Sequence, residues 1–150
     1  MTIRTRMFTS AAVACAMVGL LKAQGEKKIE MKDLPPAVQK AVQEQTKGLT
    51  VKGLAKEVED GKTFYEAETT ANGHAKDFLF DTAGTLVSIE EAIALDAVPA
   101  AVKTALEAEG RLISVETVTK GKKMNYEGVV EKNGKKTEVL VDANGKKVKD

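Results

Sequence analysis

The chain has 150 residues and carries 23 Lys and Arg side chains against 22 Asp and Glu. This length suits one ordinary domain or two very small ones, and a hydrophobic content of 43% excludes a disordered tail. A single Cys excludes a disulfide scaffold and a Cys-based zinc site, and a single His excludes a multi-histidine metal site. We therefore expect neither a metal nor a cofactor.

The N-terminal segment, Met1 to about Gly25, has the features of a secretory signal peptide. Arg4 and Arg6 precede an uncharged, mostly apolar run over residues 7–21, which is shorter than the roughly 20 residues that a transmembrane helix needs. Small residues follow this run, so we expect cleavage after Ala23 or after Gly25. The mature protein would then lie in the periplasm or outside the cell, without a stable membrane span. An uncleaved N-terminal anchor is the alternative.

Cys15 lies inside this segment. The residues before it, 12–14, loosely resemble a lipoprotein cleavage box, but apolar residues continue over 16–21, where a polar linker usually follows a lipidated cysteine. We therefore do not expect lipidation at Cys15. Cleavage would also remove three basic residues, which leaves a slightly acidic mature chain without the basic field that a nucleic-acid partner needs.

Two stretches of the remaining sequence match each other in order. Residues 34–42 align with residues 98–106. The later matches are Tyr65-Glu66 with Tyr126-Glu127, Asn72-Gly73 with Asn133-Gly134, and Asp81 and Gly84 with Asp142 and Gly145. Such self-similarity predicts a tandem repeat, with the first unit over residues 26–91 and the second over residues 92–150.

Each predicted unit opens with a short helix and continues with strands. Asp33 is a candidate helix cap, and Pro35 or Pro36 suits the first turn because proline lacks only an N–H that would be unpaired there. Residues 50–59 and 112–119 are rich in β-branched side chains, which are typical of strands.

Hairpin signals then define the fold class. The pairs Asp60-Gly61, Asn72-Gly73 and Asn133-Gly134 predict tight turns between strands. The predicted fold is therefore α+β, a tandem repeat in which each unit is a short helix packed on an antiparallel four-stranded meander sheet. Because each unit alone would be small, we expect the two to fold as one.

Alternation along the predicted strands separates an inward face from an outward one. Tyr65 and Phe78 point inward, whereas Glu66, Glu68 and Asp77 point outward. Lysines are available to pair with these carboxylates, and nothing in the sequence indicates a cleft. We therefore interpret them as a solvated sheet face and not as an acid–base pair.

The order of these pieces carries a family resemblance. A short helix, a strand, Gly-Lys-x-x-Tyr-Glu from Gly61, an Asn-Gly turn and a strand followed by Asp-x-x-Gly at Gly84 together resemble the PepSY-like repeat. Two such units after a signal peptide are similar to the beta-lactamase-inhibitor-like, PepSY-like proteins of bacterial envelopes, over residues 29–150. PepSY modules also occur in propeptides of thermolysin-type peptidases. The resemblance implies a binding or inhibitory module outside the cytoplasm, although no motif here matches an inhibitor's contact residues.

The candidate interaction residues lie on the outward face and at the hairpin turns. They are Glu66, Glu68, Asn72, His74 and Asn133. We expect no catalytic, metal-binding or cofactor-binding residue, because the sequence has no nucleophile–base pair, ligand cluster or cofactor loop.

The sequence thus predicts a secreted or periplasmic, non-enzymatic protein-binding module. Its expected partner is a protein of the envelope or secreted fraction. The specific form that the resemblance implies is inhibition of an envelope or secreted enzyme, such as a peptidase or a beta-lactamase. The alternative is an envelope domain that senses a small ligand or a metal ion with its outward carboxylates.

Overall fold

The computed structural model describes residues 26–149, so the predicted signal peptide and Cys15 lie outside the described residues. The described chain forms one antiparallel sheet of eight strands, whose spatial order is the chain order. The strands are β1 Lys27–Lys28, β2 Thr50–Glu59, β3 Lys62–Ala71, β4 His74–Asp81, β5 Leu86–Ile93, β6 Arg111–Lys120, β7 Lys123–Lys132 and β8 Lys135–Val141. Two helices, α1 Pro36–Gln45 and α2 Ala100–Glu107, precede β2 and β6.

Three of the hairpins close with the turn that the sequence predicts. The turns Asp60-Gly61, Asn72-Gly73 and Asn133-Gly134 have positive φ at both central residues, with values of 47° and 76°, 52° and 82°, and 54° and 75°. This geometry defines a type I′ turn, whose twist matches that of the flanking strands. These turn predictions are confirmed, and the turns fix the registers of the β2–β3, β3–β4 and β7–β8 hairpins.

The first helix begins at proline, but Asp33 does not cap it. Pro36 is the first helical residue of α1 and Pro35 occupies the cap position. The Asp33 carboxylate instead accepts a hydrogen bond from the backbone N–H of Glu30 at 2.9 Å, which closes a single 3-10 turn over Met31–Asp33. The prediction that Asp33 caps the helix is therefore wrong, because this turn ends before α1 starts.

Both helices pack on the same face of the sheet. Val38 and Val42 of α1 form a core cluster with Tyr65 and Phe80, and Ile89 packs against it. In a second cluster, α2 contributes Val102 and Leu106, and β6, β7 and β8 contribute Val115, Tyr126, Val130 and Val141; Ile93 packs against this one. Because Ile89 and Ile93 lie four residues apart on β5, they point to the same face. No described helix packs on the other face, which we call the open face.

The predicted fold class is wrong in its division into two sheets. β5 pairs with β6 through five consecutive residue pairs, from Ile89 opposite Thr119 to Ile93 opposite Val115. The sheet is therefore continuous and does not consist of two four-stranded units, each with its own helix. The fourth strand predicted for the second unit is reduced to one bridge between Val141 and Lys147. Pairing of β5 with β6 also removes the two edges that separate sheets would expose, and unpaired edges invite aggregation.

None of the described helices has the length and apolar character that crossing a bilayer requires.

Candidate functional site

The open face carries one carboxylate from each of seven neighbouring strands. Residues directly opposite each other on neighbouring strands point to the same face of a sheet. The registers of the neighbouring strands therefore place all of these acids on the open face. Two of the pairs join acid to acid, Asp77 with Glu90 and Glu116 with Glu127. We call these seven acids the carboxylate row: Glu57, Glu66, Asp77, Glu90, Glu116, Glu127 and Glu138.

Six members of the row are buried, so the prediction of a solvated face is wrong. Glu66 is 4% exposed and Asp77 is 3% exposed, and Glu138 is half-buried. Apolar side chains such as Leu79 and Val118 share the face and stand between the acids. Strand alternation correctly predicted the face to which the carboxylates point, but their solvent exposure depends on the side chains of adjacent strands.

Glu68 adds an eighth carboxylate beside the row. It lies opposite Gly53 on β2, and a Cβ placed on Gly53 would come within 2.7 Å of the Glu68 Oε2 atom. The absence of a side chain at Gly53 thus makes the space that the Glu68 carboxylate occupies. Glu68 is half-buried.

Burial raises the pKa of several of these acids. It raises the pKa of Glu116 from the ordinary 4.5 to about 7, and the negative charges of Asp77 and Glu138 add to the effect. Burial also raises the pKa of Glu138 to about 7. The pKa of Glu57 is raised by burial, although a hydrogen bond with the Glu66 carboxyl opposes the shift. Near pH 7, Glu116 and Glu138 therefore keep part of the protonation that ordinary surface carboxylates have lost.

Other buried polar atoms on the open face lack donors. Asn125 on β7 lies opposite Val118, and its side-chain Oδ1 atom is buried without a hydrogen-bond partner. Ser88 on β5 lies opposite Leu79, is 2% exposed, and its Oγ atom is likewise unpartnered. One carboxylate oxygen of Glu138 is also buried without a hydrogen-bond partner. Such atoms are rare in folded proteins, because an unpaired buried acceptor costs free energy.

Basic side chains on the open face lie at its margins. Lys62, Lys120 and Lys123 occupy the first or last position of their strands, and Lys136 occupies the second position of β8. In the middle of the sheet, Lys76 lies on the helix-covered face, where it forms an ion pair with Glu91 at 3.0 Å. The centre of the row is therefore acidic, with bases only around it.

The structure brings only two of the five predicted interaction residues into the row or beside it, namely Glu66 and Glu68. Asn72 and His74 are exposed at the β3–β4 turn, and Asn133 is exposed at the β7–β8 turn. Both asparagines have positive φ, which accounts for their presence through the turn geometry alone. The contribution of all five residues to binding stays a prediction.

Six members of the row were not among the predicted site residues: Glu57, Asp77, Glu90, Glu116, Glu127 and Glu138. The hairpin turn at Asp60-Gly61 could have placed Glu57 near Glu66, since a two-residue turn fixes the register. The pairing of β5 with β6 has no such local signal, because α2 lies between the two strands in the sequence.

The row is extended and does not form a compact cluster. Within residues 26–149, no three His, Cys, Asp or Glu side chains are grouped closely enough to hold one metal ion. Asp77 also has a structural task, because its Oδ1 atom accepts a hydrogen bond from the backbone N–H of Thr69 at 2.7 Å. The geometry therefore suits contacts spread along a surface.

Solved structures share this fold. A protein from Bacteroides eggerthii, described as a candidate periplasmic protein, is 24% identical, with 77% of this chain and 86% of that chain covered and a TM-score of 0.63. A DUF2874 family protein from Bacteroides ovatus is 22% identical over 77% of this chain and 85% of that chain, with a TM-score of 0.61. A BLIP-like protein from Bacteroides fragilis is 20% identical over 77% of this chain and 84% of that chain, with a TM-score of 0.57.

These likenesses show that the chain has the fold of DUF2874 and BLIP-like proteins. No protein-family model matches the chain, and no curated protein matches it either.

Proposed function

We propose that this protein is a non-enzymatic protein-binding module that acts outside the cytoplasm. The observation that carries the proposal is the asymmetry of the sheet, since both helices cover one face and the described chain leaves the other face without a covering helix. An eight-stranded face is broad enough for a protein interface, which buries about 800 Å² on each partner. Unpartnered polar atoms on that face are further support.

The location outside the cytoplasm rests on two features. The first 25 residues have the charge and apolar pattern of a secretory signal peptide. The Bacteroides eggerthii protein of the same fold is described as a candidate periplasmic protein. We propose that export precedes function and that the periplasm or the cell exterior is the working compartment.

Inhibition of an envelope or secreted enzyme is the specific form of binding that we propose. The likeness to a BLIP-like protein supports it, as does the resemblance of the sequence to beta-lactamase-inhibitor-like, PepSY-like proteins. The target class is therefore a peptidase or a beta-lactamase of the same envelope.

Capture from the source cell tests this function. The protein, exported and processed by a bacterial host, is immobilised and exposed to envelope and secreted fractions, and retained proteins are identified by mass spectrometry. We expect saturable retention of a protein, and kinetics of a retained peptidase or beta-lactamase then test inhibition directly. A folded bait that retains no protein would contradict the proposal. Stabilisation of the bait by divalent cations would instead favour the sensing alternative.

A further inference from the structure

We propose that the carboxylate row binds a basic segment of the partner protein, with Lys or Arg side chains of that segment seated along the row. This inference rests on the proposed protein-binding function and deepens it by naming the chemistry of the partner.

The extent of the row sets the size of the segment. Neighbouring strands lie about 4.8 Å apart, so seven strands spread the acids over roughly 30 Å. An extended peptide of about nine residues covers that distance at 3.3–3.6 Å per residue. The acids thus present a line of carboxyl groups that several basic side chains can contact together, whereas a single ion would meet only one or two of them.

The unpartnered atoms indicate what the segment must supply. Asn125 Oδ1 and Glu138 Oε1 are buried acceptors without donors, and Ser88 is buried with its hydroxyl unpartnered on the same face. A guanidinium carries five N–H donors and an ammonium carries three, and neither has an acceptor. A basic side chain therefore matches both the charge of the row and its missing hydrogen bonds, whereas an acidic or neutral apolar partner leaves these acceptors unpaired.

Access to the row comes from one half-buried member, Glu138, and from the half-buried Glu68 beside the row. Glu68 and Glu138 are half-buried near opposite sides of the sheet, and no described helix lies between them on the open face. Lys and Arg side chains are long and thin, so their charged ends can reach carboxylates while the stems lie over apolar neighbours such as Leu79 and Val118.

Protons couple to this binding. Glu116 on β6 lies directly opposite Glu127 on β7 and one strand from Glu90 on β5. Asp77 and Glu138 are near enough to raise its pKa, and Lys120 lies farther along β6. A bound cation favours the ionised carboxylate and lowers its pKa. Basic segments should therefore bind more tightly as the pH rises through 7, and binding should release protons.

Short basic peptides test the inference directly. The probes are fluorescein-labelled decapeptides of lysine and of arginine, with a decaglutamate as the negative probe, and the protein is the exported, processed chain. The double variant Glu116→Gln, Glu127→Gln removes two carboxyl groups from the centre of the row. The matched control, Glu44→Gln, Glu107→Gln, removes two charges from exposed positions on α1 and α2.

We expect saturable binding of both basic probes that weakens with salt, and no binding of decaglutamate. The row variant should lose about tenfold or more in affinity and the control less than about twofold. Equal losses in the two variants, or no binding of basic probes, would overturn the inference. So would a dimer of the wild type that dissociates in the row variant, because a second copy would then be the occupant. Capture of a partner that binds the row variant as tightly as the wild type would leave the protein-binding function standing while refuting this inference.

Discussion

Glu116 on β6 lies directly opposite Glu127 on β7, and both side chains are buried on the open face of the sheet. Burial makes ionisation of a carboxyl group costly, and it raises the pKa of Glu116 to about 7. Glu116 therefore weakens the fold when it ionises. Its position at the centre of the carboxylate row is consistent with a surface whose chemistry serves binding at some expense of stability.

Neutralising Glu116 should stabilise the protein above neutral pH. The pKa of Glu116 is raised to about 7 in the folded chain, so the folded state binds a proton that the unfolded state, with a pKa near 4.5, has released. Below pH 4.5, Glu116 is protonated in both states and does not change the free energy of unfolding. As the pH rises from 4.5 through 7, Glu116 lowers the free energy of unfolding. The full shift corresponds to roughly 3 kcal/mol at alkaline pH.

Urea unfolding of the wild type and of Glu116→Gln at several pH values measures this effect. We expect the stability of the wild type to fall between pH 5 and pH 8 and that of Glu116→Gln to fall less, so the variant is the more stable at pH 8. Glu44→Gln should follow the wild type. Asp81 has the opposite effect on stability, because backbone N–H groups of Thr85 and Ala83 lower its pKa. Its contribution to stability is lost as the pH falls into the acidic range. Parallel pH profiles for wild type and Glu116→Gln would show that Glu116 ionises normally.

Gly84 should be intolerant of a side chain because it touches the first helix. Its φ is +81°, and a Cβ there would lie 2.6 Å from the backbone oxygen of Ala37 in α1. Gly73 has a similar φ of +82° but no atom within 4 Å of its Cβ position. We expect Gly73→Ala to cost about 1–2 kcal/mol from backbone strain and Gly84→Ala roughly 2–5 kcal/mol from strain and overpacking. Equal losses in chemical denaturation would mean that the turn after β4 does not press on α1.

Gly128 should show the same intolerance on β7 for a different reason. A Cβ at Gly128 would lie 2.6 Å from the Leu106 Cδ1 atom. The Leu106 side chain of α2 thus occupies the space that a side chain at Gly128 would need. Gly128→Ala should destabilise the protein by about 1–3 kcal/mol, and Leu106→Ala by about 2–5 kcal/mol through a cavity. In the double variant the added methyl fills part of that cavity. Its loss should therefore be smaller than the sum of the single losses, and an additive cycle would contradict this contact.

The two core clusters should unfold together. They share the continuous β5–β6 ladder, although α1 packs in one cluster and α2 in the other. We expect Phe80→Ala in the first cluster and Leu106→Ala in the second to lower one common thermal transition, with circular dichroism and tyrosine fluorescence giving the same midpoint. A variant that melts in two separated steps would show that the halves are independent.

Local signals predicted the hairpins correctly. Asn72-Gly73 and Asn133-Gly134 adopt the positive φ angles of type I′ turns, and Thr50–Glu59 is a strand with the predicted bounds. These features depend on the conformational preferences of a few adjacent residues. The candidate positions Glu66 and Glu68 were also placed on the correct face, because side chains alternate along a strand.

Longer-range features could not be predicted in the same way. Whether Leu86–Ile93 pairs with Arg111–Lys120 depends on the packing of α2, which lies between them in the sequence. The prediction was based on the similarity of the two predicted units, and it therefore missed the single continuous sheet. The burial of Glu66 was not predicted either, because the exposure of a side chain depends on neighbours from other strands. The carboxylate row becomes visible only when the registers of seven strands are known together.

The most direct test of the account compares partner binding by three proteins. The partner retained in the capture experiment is titrated against the wild type, the Glu116→Gln, Glu127→Gln variant and the Glu44→Gln, Glu107→Gln control. If the open face is the binding surface, the row variant should bind about tenfold or more weakly while the control binds as the wild type does. Equal affinity of all three proteins, each shown to be folded, would place the interface elsewhere and contradict the central claim.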